Sequence, residues 1–317
     1  MKKIYFLGLL LITLAACEKK QTPTYVKPVS KPYTMYIRVG TYNILNKNTD
    51  EHNSANFGGD IRRWANRKEA VAEVIKRKKL DVFGAQELGD QTMKNELSAL
   101  LPEYDYCSTT YQTPVFWLKD KYTLVKQGDF FAEPHRGWHC VWVKLKENKS
   151  GKQFYVFNGH AICCQWTEER IQYAQNLVAN VPIINKQKLP SFLTADFNAF
   201  DEVDDTKTAH YNKYYGSIGF ANFKNIARTK INEEYGTYAL FTPPKKGTCW
   251  LDRIYVYPGI KEGMPEGSLV PDIGISVEVQ RYEAALDWDP NRPGYLMEPI
   301  PSDHFLLFGD FVFSYKN

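Results

Sequence analysis

Eight polar side chains in the sequence are of the types that bind a hard cation or move a proton, and each lies at or beside the end of a short apolar run. They are Asn43, Glu87, His160, Asp196, Asn198, Asp252, Asp303 and His304. Carboxylate and amide oxygens suit Mg²⁺, which usually keeps several waters when it is bound. Histidine can orient or deprotonate an attacking water, and further donors can stabilise charge on a phosphoryl group. This set is therefore typical of metal-assisted hydrolysis of a phosphate ester.

Each of these residues also has an ordinary structural explanation when it is considered alone. Asp196 and Asn198 can form a loop capped by their own side chains. Asp252 can pair with the neighbouring Arg253, and His160 can be a hydrogen-bonded core histidine. The functional interpretation depends on the order of the residues along the chain and on their shared position at the ends of apolar runs.

The apolar runs that must position these residues predict many strands and a few helices. Strands are predicted over Tyr36–Leu45, Leu80–Ala85, Val115–Leu118, Tyr122–Val125, Trp138–Leu145, Phe154–His160, Phe192–Asp196, Leu251–Tyr257 and Phe305–Phe313. Helices are predicted over Arg62–Lys79, around Met93–Leu101 and from Thr167 onward. Strands that arrive in pairs with helices between some of them favour a single α+β domain, with two mostly antiparallel sheets and outer helices.

Six short motifs occur in a particular order along the chain. They are Thr41–Leu45, Asp81–Glu87, Asn158–His160, Ala195–Ala199, Leu251–Ile254 and Ser302–Phe305. Together they resemble the endonuclease/exonuclease/phosphatase superfamily, which includes deoxyribonuclease-I-like nucleases, apurinic endonucleases, bacterial sphingomyelinases and inositol-polyphosphate 5-phosphatases. The resemblance covers roughly residues 35–315 and is more specific than any single motif. It implies a four-layered α/β sandwich with a Mg²⁺ site at one end of the paired sheets, and Mn²⁺ is the alternative cation.

The resemblance also implies roles for the residues that match the metal-binding motifs. Glu87 would be the main metal ligand, with Asn43 beside it and Asp303 near the same cation. His304 would act as general base or phosphate contact and would be oriented by Asp252. Such a pair is chemically sensible, because a carboxylate on one ring nitrogen fixes the tautomer and raises the basicity of the other nitrogen.

The phosphate-binding motifs match the superfamily less completely. Asp196 would position or deprotonate the attacking water, Asn198 would hold a phosphoryl oxygen, and His160 would donate to the phosphate as charge builds up. Many relatives continue Asn-x-His with Leu-Asp, whereas this chain continues with Ala161–Trp166. For an arginine expected near the hairpin strand, Arg136 is the nearest candidate.

The first part of the chain is predicted to carry an export signal and a lipid anchor. Two lysines precede the apolar run Ile4–Ala16, which is too short to span a bilayer comfortably. The run ends in Leu14–Cys17, which resembles the lipobox of bacterial lipoproteins, in which the cysteine is acylated. The alternative is an ordinary cleaved signal that happens to precede a cysteine.

Three segments are expected from this pattern. Residues 1–16 are the lipoprotein signal peptide, and 17–34 are the lipidated cysteine and a tether that contains three prolines. Residues 35–317 are the catalytic domain. The protein is therefore expected to be a monomer in the cell envelope, attached to the membrane through its lipid, with the leaflet left open.

Charge and cysteine spacing restrict the partners and the type of metal site. The formal net charge is only +4, whereas proteins that hold long nucleic acid usually carry a strong basic excess, so nucleic acid is expected as a substrate at most. The cysteines after Cys17 show no Cys-x-x-Cys pair, which argues against a zinc site. They are Cys107, Cys140, Cys163, Cys164 and Cys249. Most of them are expected to be small buried hydrophobes, and their odd number leaves at least one thiol without an intramolecular disulfide partner.

Several functions remain compatible with this sequence. The leading hypothesis is a phosphodiesterase or phosphomonoesterase acting on a small, lipid-linked or glycan-linked phosphoester, and an extracellular nuclease is the alternative. A non-catalytic carbohydrate-binding lipoprotein is a third reading, because four tryptophans lie near the motifs. They are Trp64, Trp138, Trp166 and Trp250. The stretch 258–301 is rich in proline and glycine, so much of it is expected to be a loop that forms one wall of the cleft, with Trp288 stacking on the substrate or packing inward.

Overall fold

The computed structural model describes residues 33–164, 167–199, 208–238, 240–241, 249–259, 275–285 and 300–315, and for 208–210 and 275–285 it describes the backbone only. The strands are β1 (Tyr33–Asn43), β2 (Val82–Gln86), β3 (Tyr104–Tyr106), β4 (Val115–Leu118), β5 (Tyr122–Glu133), β6 (Trp138–Glu147), β7 (Gln153–His160), β8 (Ser191–Asp196), β9 (Ala221–Asn222), β10 (Lys230–Ile231), β11 (Asp252–Tyr257), β12 (Ile275–Ala285) and β13 (Leu306–Tyr315). The helices are α1 (Asp50–Phe57), α2 (Trp64–Lys78), α3 (Gln91–Leu100), α4 (Thr167–Ile184), α5 (Thr208–Ser217) and α6 (Phe223–Ile226).

The strands form two sheets. One has the order β10-β12-β13-β1-β2-β4-β3, and the other has the order β5-β6-β7-β8-β11-β9. Neighbouring strands are antiparallel except for the pairs β1–β2, β7–β8 and β10–β12. The sheets pack through an apolar layer that includes Val39, Val82, Val156 and Phe192. The predicted α+β sandwich of two mostly antiparallel sheets with flanking helices is confirmed.

Helices cover the outer faces of the sheets. Helix α2 buries the stripe that the sequence predicts, including Trp64, Val71 and Ile75, against the first sheet. Helix α4 begins at Thr167 as predicted, and it packs Tyr173 and Leu177 against the second sheet. None of the helices in the described ranges is long and apolar enough to cross a bilayer.

One strand is longer than the sequence predicts, and another was not predicted. Strand β5 continues eight residues past the predicted end at Val125, because it lies at the edge of its sheet and an edge strand tolerates polar residues such as Lys126. Much of the stretch 258–301 was expected to be loop. The strand β12 lies within this stretch, and all of β12 pairs with β13. The glycines and prolines of that stretch lie on either side of β12. Trp288 lies outside the described residues.

Candidate active site

The register of the strands collects the polar residues at one end of the two sheets. Asn43 is the last residue of β1, and its partner in β2 is Gln86, which immediately precedes Glu87. In the second sheet, Asp196 at the end of β8 is paired with His160 on one side and with Asp252 on the other. The strand-end positions predicted from the sequence therefore converge on one site.

Asn43 connects the two sheets at this end. Its side-chain amide donates to Glu87 Oε1 at 2.8 Å and to Asp196 Oδ2 at 3.0 Å. The other carboxylate oxygen of Glu87 accepts from the backbone N–H of Asn46 at 3.0 Å. Glu87 has a left-handed backbone (φ 63°), which turns the chain sharply after β2. These two donors hold the Glu87 carboxylate in one orientation.

Asp303 lies close enough to Glu87 for the two carboxylates to repel each other. Burial raises the pKa of Asp303 to about 6, and the Glu87 charge adds to the rise while His304 and Arg67 oppose it. Ser302 Oγ donates to Asp303 Oδ1 at 3.3 Å. Two carboxylates of like charge are stabilised by a bound cation, so Glu87 and Asp303, with the neutral amide oxygen of Asn43, have the chemistry that a hard divalent ion requires.

His304 and Asp252 form a buried pair. The Nδ1 atom of His304 lies 2.8 Å from Asp252 Oδ2, while its Nε2 atom lies 3.8 Å from Asp196 Oδ2. Burial alone lowers the pKa of His304, but the surrounding carboxylates, Asp252 first among them, raise it well above its usual value. The ring is thus held by one nitrogen, and its other nitrogen faces the site.

The third cluster combines Asp196, Asn198 and His160. Asp196 Oδ1 accepts from the backbone N–H of Asn198 at 2.8 Å. The Asn198 side-chain amide nitrogen lies 3.2 Å from His160 Nε2 and donates to the carbonyl of Ala161 at 2.8 Å. Trp138 stacks on the His160 ring with 4.8 Å between centroids. These contacts hold an amide donor and an imidazole nitrogen beside the Asp196 carboxylate.

A second set of possible metal ligands overlaps the first. Asp196, Asp252 and His304 offer ligand atoms that all lie within 4.8 Å of one another. In this arrangement Asp252 Oδ2 is already engaged by His304 Nδ1. The Asn43, Glu87 and Asp303 set predicted from the sequence does not include that pair, although both oxygens of Glu87 already accept hydrogen bonds.

A buried polar layer supports the site, and it was missed as such by the sequence analysis. Gln86 Nε2 donates to Asn158 Oδ1 at 2.7 Å, and Thr194 Oγ1 donates to the same atom at 3.0 Å. The Asn158 amide donates in turn to the carbonyl of Ala85 at 2.8 Å. Gly84 is required here, because a Cβ would lie only 2.2 Å from Asn158 Oδ1. The sequence does contain a signal for this layer, namely the polar residues Gln86, Asn158 and Thr194 inside the apolar runs.

Arg67 is a second residue that stabilises the site and that the sequence analysis missed, because the helix pattern places it on the polar face of α2. Its buried guanidinium donates to the backbone carbonyls of Ile44, Leu45 and Pro301. It therefore joins the loop after β1 to the segment that precedes Asp303. This contact fixes the distance between the segment that follows Asn43 and the segment that precedes Asp303.

Several other predicted residues fall outside the catalytic cluster. Trp64 and Trp250 are buried in the core, which removes them from a carbohydrate platform, whereas Trp166 lies outside the described residues. Arg136 is exposed, with its guanidinium 5.3 Å from the Trp138 ring centroid, so it lies at the rim of the site.

The expectation that most cysteines are buried was wrong for the loop after His160. Cys163 and Cys164 are both exposed, because the chain turns outward there with Cys164 in a left-handed backbone conformation. Their sulfur atoms lie 2.9 Å apart. Cys107 and Cys140 are buried as predicted, and Cys249 is half-buried.

Comparison with solved structures shows the same fold in several proteins. An endonuclease/exonuclease/phosphatase family protein from Bacteroides thetaiotaomicron has a TM-score of 0.70 at 23% identity, over 88% of this chain and 98% of that chain. A mannosyl-6-phosphatase from the same organism has a TM-score of 0.67 at 22% identity, over 87% and 99%. The human Nocturnin catalytic domain has a TM-score of 0.59 at 19% identity, over 89% and 97%. A search of curated proteins found no significant match.

A family model agrees with the fold and with the six motifs. The model described as the Endonuclease/Exonuclease/phosphatase family matches residues 40–304, a span that includes every residue of the candidate site. The chain belongs to the endonuclease/exonuclease/phosphatase family, whose members are hydrolases that act on phosphate esters.

Proposed function

We propose that the protein is a Mg²⁺-dependent hydrolase of a small, lipid-linked or glycan-linked phosphoester, attached to the cell envelope through a lipid on Cys17. The observation that carries the catalytic part is the continuous network from Glu87 through Asn43 to Asp196, with the Asp252–His304 pair beside it. A non-catalytic binding protein has no need for this complete set of groups. The similarity to a mannosyl-6-phosphatase fold supports a small phosphoester.

The residues that would hold the cation are Glu87, Asn43 and Asp303. A Mg²⁺ ion bound there would polarise the phosphoryl group and offset its negative charge. The amide of Asn43 and the backbone N–H of Asn46 keep Glu87 oriented toward that position. Arg67 holds the segments on which Asn43 and Asp303 are placed.

The remaining groups act on the water and on the phosphate. Asp196 is fixed by donors from Asn43 and Asn198, so its carboxylate can orient an attacking water. Asp252 engages Nδ1 of His304, which leaves Nε2 to contact the water or a phosphoryl oxygen. His160 and Asn198 provide further donors where charge develops in the transition state.

The test is hydrolysis of p-nitrophenyl phosphate, bis(p-nitrophenyl) phosphate, sugar phosphates, sphingomyelin, DNA and RNA, each with Mg²⁺ and with EDTA. EDTA should abolish activity, and Mg²⁺ should restore it. Glu87→Gln keeps the shape of the side chain but removes its charge, so kcat/KM should fall about 10³-fold, or ~4 kcal/mol in transition-state stabilisation, and Mg²⁺ should bind more weakly.

Glu73→Gln is the matched control, since Glu73 is an exposed residue of α2 that contacts Arg77. Its activity should equal that of the wild type. Hydrolysis that is insensitive to EDTA, or a Glu87→Gln variant with wild-type activity, would remove the metal from the proposal. Preferred cleavage of DNA or RNA would replace the small phosphoester by the nuclease alternative.

A further inference from the structure

A polar and aromatic cleft of about 350 Å³ adjoins the catalytic cluster. Its lining includes the amide side chains of Asn46 and Gln112, the carboxylate of Asp90, and the rings of Tyr111 and Trp138. None of these side chains has a role in the reaction proposed above. The cleft is therefore a feature of this chain that the catalytic chemistry leaves unexplained.

Two residues that line the cleft contact residues of the candidate site. Asn46, which lines it, donates its backbone N–H to Glu87 at 3.0 Å. Trp138, on another part of the lining, stacks on His160. A phosphate held between Glu87 and His160 would thus have this cleft next to it. The group covalently attached to that phosphate is the part of a substrate that would enter.

The polar atoms of the cleft are suited to hydroxyl groups. Gln112 Nε2 is buried and has no hydrogen-bond partner among the described residues. Gln112 is held in place by its backbone carbonyl, which accepts from Leu88 N–H at 3.0 Å. A buried amide donor without a partner costs free energy. When the Gln112 side chain turns toward the cleft, a ligand hydroxyl that accepts from this nitrogen would remove that cost.

The charges of the cleft disfavour a chain of further phosphates. Lysine and arginine are absent from its described lining, and the one carboxylate, Asp90, pairs with Lys47 at 3.0 Å. Asp90 also accepts from Thr92 N–H at 2.7 Å at the start of α3, so it is fixed in position. The cleft thus suits a neutral, hydroxyl-rich group better than a polyanion.

The aromatic rings favour a sugar over a planar base. Tyr111 is already stacked on His139, with 4.0 Å between centroids and 8° between planes, and Trp138 is stacked on His160. Each ring therefore has one face covered by an imidazole, and the Arg136 guanidinium lies 5.3 Å from the Trp138 ring centroid as well, so the two rings do not form an open slot for a base. Apolar C–H faces of a sugar can pack against the remaining aromatic surface while its hydroxyls meet the amides.

We infer that this cleft binds the sugar ring that carries the scissile phosphate, with Gln112 and Tyr111 as residues that determine specificity. The inference rests on the proposed hydrolase function and narrows its substrate to a phosphorylated sugar or a sugar unit of a glycan. Gln112 would donate to a sugar hydroxyl, and Tyr111 would cover one side of the ring. Neither residue would take part in the transfer of the phosphoryl group.

The experiment compares kcat/KM for glucose 6-phosphate and mannose 6-phosphate with kcat/KM for p-nitrophenyl phosphate and for thymidine 5′-monophosphate, using the Mg²⁺-loaded full chain. In Gln112→Ala and in Tyr111→Ala the ratio of sugar phosphate to p-nitrophenyl phosphate should fall about tenfold, mainly through KM. Gln153→Ala is the matched control, because Gln153 lies at the opposite end of β7 from His160. Its ratio should equal that of the wild type.

Unchanged ratios in both cleft variants, or a wild type that prefers the nucleotide, would overturn the inference. A direct binding measurement separates this failure from failure of the proposed function. Calorimetric titration of glucose 6-phosphate and mannose 6-phosphate into the Ca²⁺-loaded protein should show weaker binding in Gln112→Ala than in Gln153→Ala. If the wild type binds neither compound, the cleft is not a sugar site even where p-nitrophenyl phosphate is hydrolysed. If a sugar phosphate binds but nothing is hydrolysed, the hydrolase proposal fails and the cleft assignment stands.

Discussion

At the scale of single residues, the proposed mechanism separates His304, which would act on water or phosphate, from the groups that would hold the cation. Asp252 occupies one imidazole nitrogen at 2.8 Å and lies in the same sheet as Asp196, opposite it in register. The backbone N–H of Asp252 donates to Thr237 Oγ1 at 3.0 Å, which fixes the start of β11. The position of His304, which precedes β13, is thus set by a partner at the start of β11.

We expect His304→Ala to reduce kcat by about 10²–10⁴-fold while Mg²⁺ binding, measured by calorimetry, changes little. The reason is that the imidazole would act on water or phosphate, and the cation would be held by Glu87, Asn43 and Asp303. Asp252→Asn should have a smaller effect in the same direction, because it leaves the ring in place but alters its tautomer. If His304→Ala loses Mg²⁺ binding instead, the cation lies in the Asp196, Asp252 and His304 set.

The cysteines should differ sharply in reactivity toward iodoacetamide, measured by mass spectrometry of the native protein. Burial raises the pKa of the Cys107 thiol to about 11, and the Cys140 thiol is buried as well, so both should remain unlabelled until the protein unfolds. Cys163 and Cys164 are exposed and should be labelled in the folded state.

The rate at which iodoacetamide labels Cys163 should rise with pH. Desolvation and the neighbouring Cys164 thiol raise the pKa of Cys163 to about 11. The thiolate is the nucleophile, so its fraction and the labelling rate should rise about tenfold per pH unit between pH 7 and 9. A rate that is already at its plateau at pH 7 would contradict the raised pKa.

At the scale of elements, the polar layer of Gln86, Asn158 and Thr194 makes the two sheets depend on each other. Its hydrogen bonds connect β2 of one sheet with β7 and β8 of the other, directly beneath the catalytic strand ends. Hydrogen bonds between buried polar groups favour one relative position of the packed elements, because any displacement leaves donors without partners. The strand ends that carry Glu87 and Asp196 are consequently kept in register across the sandwich.

Gly84→Ala should disrupt this layer. The added Cβ would lie 2.2 Å from Asn158 Oδ1 and 2.3 Å from Thr194 Oγ1, so the sheets must separate or the polar layer must rearrange. We expect the free energy of unfolding in urea to fall by about 1–3 kcal/mol and activity to fall with it. Gly216→Ala is the control, because Gly216 lies in α5 with open space around it, and alanine should stabilise the helix by about 0.5–1 kcal/mol. Equal stability of the two variants would show that the sheets are less closely coupled here.

At the scale of the whole molecule, the proposed lipid anchor would restrict the enzyme to substrates near the envelope surface. Residues 1–32, which include Cys17, lie outside the described part of the structure. We expect the wild type to partition into Triton X-114 and to sediment with membranes, whereas Cys17→Ala should lack the lipid by mass spectrometry. Wild-type protein in the soluble fraction with its first residues intact would contradict the anchor.

The sequence alone determined the fold family and predicted the candidate site residues, because both predictions rest on short local patterns. Apolar runs of strand length ending in Asn43, Glu87, His160 and Asp196 predict where strands stop, and their order along the chain identifies the family. The segment 275–285 escaped this reasoning, since the prolines and glycines on either side outweighed its alternating Ile275, Val277 and Val279.

Tertiary structure alone decided which residues act together and what surrounds them. Asn43 and Asp196 are 153 residues apart in sequence and 3.0 Å apart in space, and no local pattern contains that distance. The sequence pattern places Arg67 on the surface of an amphipathic helix, yet packing buries it against the segments next to Asn43 and Asp303. The cleft of Gln112 and Tyr111 likewise exists only because three separate segments of the chain meet beside Trp138. Long-range contacts depend on sheet register and side-chain packing, which are properties of the folded chain and not of any single segment.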